Sequence, residues 1–295
     1  MNVYPDFVKS RLLQLIEEMA QKPDPFVKNP GKDFSWNRKL NLAQMLRLIL
    51  SMGGSSFRNE LMEYFSYGIN APSASSFVQQ RDKILPAASE FLLHRFTASF
   101  SDYKTTSDGF RLLAVDGSDL GIAHNPNDSD TYVQSLPEIK GFNLLHLNAG
   151  PPETIITNPD KEEFPACKIK ELYHMRWGIE TSFRELKYSI GLTSFHSKKA
   201  EYIIREIFAG LTMYNFCELI TLHLVIQQKD TKYSYQANFT AAITICRYFF
   251  KFLNDISPPD VEALIQKNLL PIRTGRSGPR KVRFRTAVSF LYRVA

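Results

Sequence analysis

Apolar residues recur at helical spacing in several separated runs of this chain. Val8, Leu12, Leu15, Ile16 and Met19 fall three or four apart and stop before Pro23-Asp24-Pro25, which predicts a helix over Val8–Gln21. Asn41–Met52 repeats the pattern and is ended by Gly53-Gly54. Phe57–Phe65, Ser75–Ile84 and Ser89–Phe100 come next. Turn-rich Tyr67–Pro72 separates the first two, and the Ser73–Ser76 cluster suits a helix cap. Residues 1–105 therefore read as all-helical. From Arg111 the period shortens. The run Arg111-Leu-Leu-Ala-Val-Asp116-Gly-Ser118 reads as a strand entering a turn, and Leu120–His124, Phe142–Leu147 and Thr154–Ile156 read as further strands. Amphipathic helices return over Glu201–Gln228 and Asn238–Leu253.

One helical stretch carries more than a packing pattern. It is Tyr173–Lys187, YHMRWGIETSFRELK, in a helix expected to begin near Lys168. With Tyr173 at zero and about 100° per residue, Arg176, Glu180, Arg184 and Lys187 share an arc of roughly 80° with Tyr173. Leu172, Ile179, Phe183, Leu186 and Ile190 form the neighbouring apolar arc that would seat the helix on a core. One carboxylate among three cations and a phenol suits metal-assisted work on phosphate. An ordinary amphipathic helix with i,i+4 pairs such as Glu180–Arg184 is the readier reading from spacing alone.

The spacing Y-x2-R-x3-E-x6-K, filled by Tyr173, Arg176, Glu180 and Lys187, resembles the helix of bacterial insertion-sequence DDE transposases, in the branch marked by Tyr, Arg, Glu and Lys. Asp116, ending an apolar strand before Gly-Ser, stands where that family places its first catalytic Asp. Glu153-Thr-Ile-Ile-Thr-Asn158 resembles the strand before its Glu helix. The resemblance implies an α/β fold with a ribonuclease H-like mixed sheet flanked by helices. It also implies cleavage and strand transfer of DNA ends with Mg2+ (or Mn2+), two ions acting on the attacking and leaving oxygens. Asp116 and Glu180 would be the catalytic metal ligands. Tyr173, Arg176, Arg184, Lys187 and Trp177 would contact DNA, arginine through a bidentate fork and lysine as a point charge. Partial burial of Trp177 against the fold is an equal reading.

The chain departs from that family between Asp116 and Glu180. The family's second Asp sits on a short apolar strand in this interval, and no Asp here stands on such a strand. Asn148-Ala-Gly-Pro-Pro152 joins the Phe142–Leu147 run directly to the strand before the Glu helix. Asp119, Asp128, Asp130 and Asp160 read as turn or solvated residues. The expectation is an internally deleted copy, joined near 148–152, with an incomplete sheet and no strand transfer. Three regions result: 1–105, helical and a candidate DNA reader; 106–228, the interrupted catalytic core; 229–295, helical and basic. A helix-turn-helix-like reader with Arg81 and Lys83 exposed, and simple helical packing, are equal readings of the first. The alternative function is a non-catalytic DNA-binding remnant that competes for transposon ends, and an unrelated basic α/β protein is a third reading.

Composition adds a direction. The 295 residues carry a formal net charge of +6, with 44% hydrophobic and 22% charged residues, the mix of an ordinary globule. The excess is concentrated at the end. After Glu262 no acid occurs, while Lys267, Arg273, Arg276, Arg280, Lys281, Arg283, Arg285 and Arg293 do. Lys281–Arg285 alternates basic and apolar residues as an exposed strand would, and such a tail suits a phosphate backbone. The implied partners are double-stranded DNA carrying terminal inverted repeats and a second copy of the chain, with no membrane. Phe208–Ile226 contains Asn215, Glu218 and His223 and so reads as a core helix. Cys167, Cys217 and Cys246 form no CxxC pair, which argues for a reducing cytosol; the resemblance implies a bacterial cytoplasm, with the protein on the nucleoid when DNA-bound. His174 and His196 read as surface or phosphate contacts.

Overall fold

Start signals in the sequence act where they stand. In the computed structural model, which describes residues 2–36, 39–100, 106–107, 110–111, 120, 127, 164–175, 177–226, 233–251 and 258–272, helix α2 (Leu42–Ser51) is capped by Asn41. The Asn41 side chain accepts from the Gln44 N–H at 2.8 Å. Ser56 caps α3 (Phe57–Tyr64), and Ser73 caps α4 (Ala74–Arg81) by accepting from the Ser76 N–H at 3.2 Å. Each satisfies a donor that the first helical turn leaves without a partner. Helix α5 (Pro86–Ala98) begins three residues before the predicted Ser89, because Pro86 fits the first turn, where no N–H is needed. Helix α1 (Val3–Gln21) likewise extends past the predicted start.

The predicted carboxy-terminal helices are α8 (Ala200–His223) and α9 (Phe239–Lys251). The former ends five residues short of the predicted Gln228, where Leu224 turns to extended backbone. One helix and a pair of strands escaped the sequence reading. Helix α10 (Val261–Lys267) starts at Asp260, whose carboxylate accepts from the Ala263 N–H at 3.0 Å. Strands β3 (Tyr235–Ala237) and β4 (Leu269–Pro271) pair antiparallel and tie α10 back to the start of α9. A second small antiparallel pair joins β1 (Thr106–Ser107) to β2 (Phe110–Arg111). Among the described residues these are the only sheets, so this part of the chain is helix-rich. The strands predicted at 112–115, 121–124, 142–147 and 154–156, and the basic run 281–285, lie outside the described residues.

Helix α8 is the post around which the others stand, with α1, α2, α5 and α9 packed against it. Its Met213, Phe216, Cys217 and Ile220 are buried against Leu12 and Ile16 of α1, Met45 and Ile49 of α2, and Phe96 of α5 in one core. Phe216 sits between Phe96 and Phe250, with ring centroids 6.5 Å and 5.8 Å away. Burying each such side chain contributes about 1.5–3 kcal/mol.

The predicted exposure of Arg81 is wrong. Arg81 is buried, its guanidinium 4.5 Å from the Tyr202 ring centroid and 5.7 Å from that of Phe77, and it pairs with Glu206 at 3.5 Å. Because α4 ends against α8, its last residue points into that contact. Lys83 is half-buried, donating to Gln80 Oε1 at 3.1 Å.

Candidate functional site

The Tyr173–Lys187 segment is helical on both sides of residue 176 and changes its helical register after Arg184. It is built from α6 (Ala166–Met175), α7 (Trp177–Arg184) and a π-helical turn over Glu185–Ile190. The helix starts after Pro165, whose carbonyl accepts from the Ile169 N–H at 3.1 Å. Glu180 lies half-buried on α7, while Thr181 and Arg184 are exposed. On the apolar arc, Leu172, Ile179, Phe183 and Leu186 are half-buried and only Ile190 is fully buried. Asp116 and Arg176 lie outside the described residues, as do the side chains of Tyr173 and Trp177. The pairing of Asp116 with Glu180 therefore belongs to the proposed function.

The π turn changes the register of the residues beyond Arg184. With i→i+5 bonding each residue advances less around the axis than in an α-helix, roughly 80° instead of 100°. Lys187 then falls back toward the apolar arc, and it is half-buried. Tyr188 moves onto the meridian of Glu180, and it is 73% exposed. The turn ends at Gly191, whose φ of +100° is one that a side chain resists. Arg247 of α9 holds the end by donating from Nη2 to the Ile190 carbonyl at 2.7 Å. On the other side it meets α8 at Gly210, where a Cβ would come within 2.8 Å of Leu192 Cδ2.

Behind the turn, two carboxylates share one phenol. Tyr214 donates to Glu218 Oε1 at 2.7 Å and lies 3.4 Å from Glu185 Oε2. Burial pushes both carboxyls above the ordinary range, and for Glu185 the Glu218 charge adds to it. Burial likewise raises the Tyr214 hydroxyl.

A second polar cluster joins α4 to α8. The Tyr202 ring lies between the guanidiniums of Arg81 and Arg205, whose Cζ atoms are 4.5 Å and 5.0 Å from its centroid. The Tyr202 hydroxyl donates to Asp82, and burial together with that bond pushes it up to about 12. The same bond, with Lys28 beside it at 3.3 Å, holds the Asp82 carboxyl low. Arg205 is 1% exposed, donates to the Arg81 carbonyl, and is lowered to about 10 by burial and then by the Arg81 charge. His196, expected at the surface, belongs to this cluster. Its side chain is 3% exposed and its Nδ1 lies 3.1 Å from Glu206 Oε2. A charged helix α4–α8 contact drew it inward, and only the density of ionic residues at 196–206 hinted at that.

Cys217 and Cys246, which sequence spacing gave no reason to associate, are neighbouring free thiols in the core, and burial raises the Cys217 thiol well above its ordinary value. Among the described residues no three His, Cys, Asp or Glu side chains gather as a metal site. The half-buried Glu180 carboxylate is a donor of the kind a hard cation takes. No described helix is long and apolar enough to cross a membrane.

An amphipathic helix that mounts one half-buried acid beside an exposed arginine, on a helical base, is the frame in which comparison with known proteins is informative. The family described as "Transposase DDE domain" matches residues 58–216, from the start of α3 to within α8 and more than half of the chain. The chain belongs to this family of DDE transposase domains. It is similar to "Transposase InsG for insertion sequence element IS4" of Escherichia coli (strain K12), with 27% identity over 137 residues, 43% of this chain and 30% of that protein. The chain thus matches under a third of that relative's length. No solved structure matches.

Proposed function

We propose that this chain is an insertion-sequence transposase of the IS4 type whose catalytic centre is incomplete, so that it holds transposon ends without transferring them. The observation that carries the reading is the mounting of Glu180, half-buried on α7 with exposed Arg184 one turn away, inside the segment matched by the family. In this reading Asp116 and Glu180 are the catalytic carboxylates and would hold Mg2+ or Mn2+, which when bound supplies charge neutralisation on the reacting phosphate. The protein's own work is positioning. Arg184 and Arg176 clamp phosphates, Lys187 adds a point charge, and Tyr173 and Trp177 contact the strand. The family's second Asp has no counterpart between Asp116 and Glu180, which leaves the metal site one carboxylate short.

The same reading assigns 1–105 to a helical region with a share in DNA binding, 106–228 to an interrupted ribonuclease H-like core, and 229–295 to a helical, basic extension. It takes a homodimer on double-stranded DNA as the acting form. The test is incubation of the purified chain with a duplex carrying the ends of its own element, with Mg2+ and then Mn2+. Binding without cleavage is the expected result. Cleavage that Glu180→Gln abolishes would overturn the incompleteness, and failure to bind the duplex at low salt would overturn the DNA reading altogether.

A further inference from the structure

Resting on that DNA-end reading, we propose that the π turn and the adjoining face of α9 form a track for an unpaired DNA strand, with Tyr188 and Tyr248 as stacking residues. The first ground is register. The π turn carries Tyr188 onto the meridian of Glu180, roughly 10–12 Å further along the axis, where a regular helix would have placed it to one side. The residue is 73% exposed there.

The second ground is continuity with α9. Ser189 and Thr240 hydroxyls meet at 2.9 Å, which joins the turn to the first residues of that helix. Thr240, Thr244 and Tyr248 are each exposed and four residues apart, so they line one stripe of about 12 Å. Tyr248 is 55% exposed. A stripe of that length matches roughly three stacked nucleotides of one strand.

The third ground is charge. From Phe239 to Lys251 there is no acid. Glu185 of the π turn faces the other way, toward Tyr214 of α8, and Glu63 nearby is paired with Lys251 at 3.6 Å. Hydroxyls and isolated rings along the acid-free α9 stripe suit a polyanion whose bases are free to stack. A protein partner would need a contiguous apolar patch, and here threonines separate the rings. Arg247 of α9 also ties the two elements together, donating to the Ile190 carbonyl at 2.7 Å.

The experiment measures binding of the full chain to a fluorescent DNA hairpin with a single-stranded oligothymidine tail and to the same hairpin blunt-ended. Tyr188→Ala and Tyr248→Ala are each expected to weaken the tailed hairpin about fivefold or more and to spare the blunt one, while Tyr→Phe at either position stays near wild type. Thermal melting checks that the variants are folded. Unchanged tailed binding in both alanine variants overturns the track, as does equal loss on both hairpins or a change of oligomeric state in place of a change of affinity. If wild type binds both hairpins and Arg184→Ala weakens both while the tyrosine variants are silent, the track falls and the DNA-end reading stands. If wild type binds neither, both fall.

Discussion

Helices α7 and α8 both present an apolar stripe, yet they are covered very differently. Phe216, Met213 and Ile220 of α8 are closed in by α1, α2, α5 and α9, whereas Ile179 and Phe183 of α7 remain half-buried. Burial is complete only at Ile190, where the π turn reaches α8 and α9. The Glu180 helix is thus anchored to the helical block at its π-turn end.

The two stripes should respond to truncation very differently. Phe216→Ala should cost about 3–5 kcal/mol, since its cavity lies between helices that cannot collapse together. Phe183→Ala should cost about 1 kcal/mol. Denaturant unfolding of the two variants measures the gap, and equal losses would mean that α7 is as integral to the core as α8.

Next in size is the ionic contact between α4 and α8. Arg81→Ala leaves Glu206 without its buried guanidinium, and about 3 kcal/mol should be lost. Arg205 stands differently. Among the described residues it has no carboxylate in a salt bridge, and its buried Nε and Nη2 find no acceptor. Replacing such a charge with an apolar chain of similar length is often neutral or better. Arg205→Met should therefore match or exceed wild-type stability, and a loss as large as that of Arg81→Ala would refute this reading of the pair.

These two arginines also show where the sequence stopped being legible. Helix α4 was readable from Ser73 and the spacing around Phe77, but whether Arg81 points outward depends on which helix its last turn meets. That partner, α8, is more than a hundred residues away, and no local pattern names it. The same holds for His196 and for the neighbouring Cys217 and Cys246. Short elements such as α10 and the β3–β4 pair failed for another reason, because three to seven residues are too few to display a period. The π turn could not be read at all, since the same residues satisfy an α-helical pattern. What the local pattern carried well was the Ser73 cap and the long stripes, and the family was anticipated from the resemblance.

Smaller again is the effect of tightening the joint at Gly210. A methyl there would press on Leu192 and Ile190, so Gly210→Ala should cost about 1–3 kcal/mol despite its better helix propensity. Because the strain falls on the end of the π turn, the loss should appear as earlier exchange of amides in 185–192. A stabilised variant would show that the joint has room to spare.

The smallest effect expected is in pH dependence, at the carboxylates behind the turn. Glu218 has its carboxyl raised above the ordinary 4.5 by burial, and Glu185 is raised by burial and by Glu218. The fold therefore favours their protonated forms. Stability from these groups is fully present below pH 4.5 and is lost as pH rises through their elevated values. Asp82, lowered by the Tyr202 hydroxyl, works in the opposite sense and only below its ordinary 3.8. Glu218→Gln keeps an acceptor for Tyr214 while removing the charge. It should melt slightly higher than wild type at neutral pH, with the difference closing near about pH 4. A variant less stable than wild type at neutral pH would mean that the ionised carboxylate, and not the shared hydrogen bond, fastens the π turn to α8.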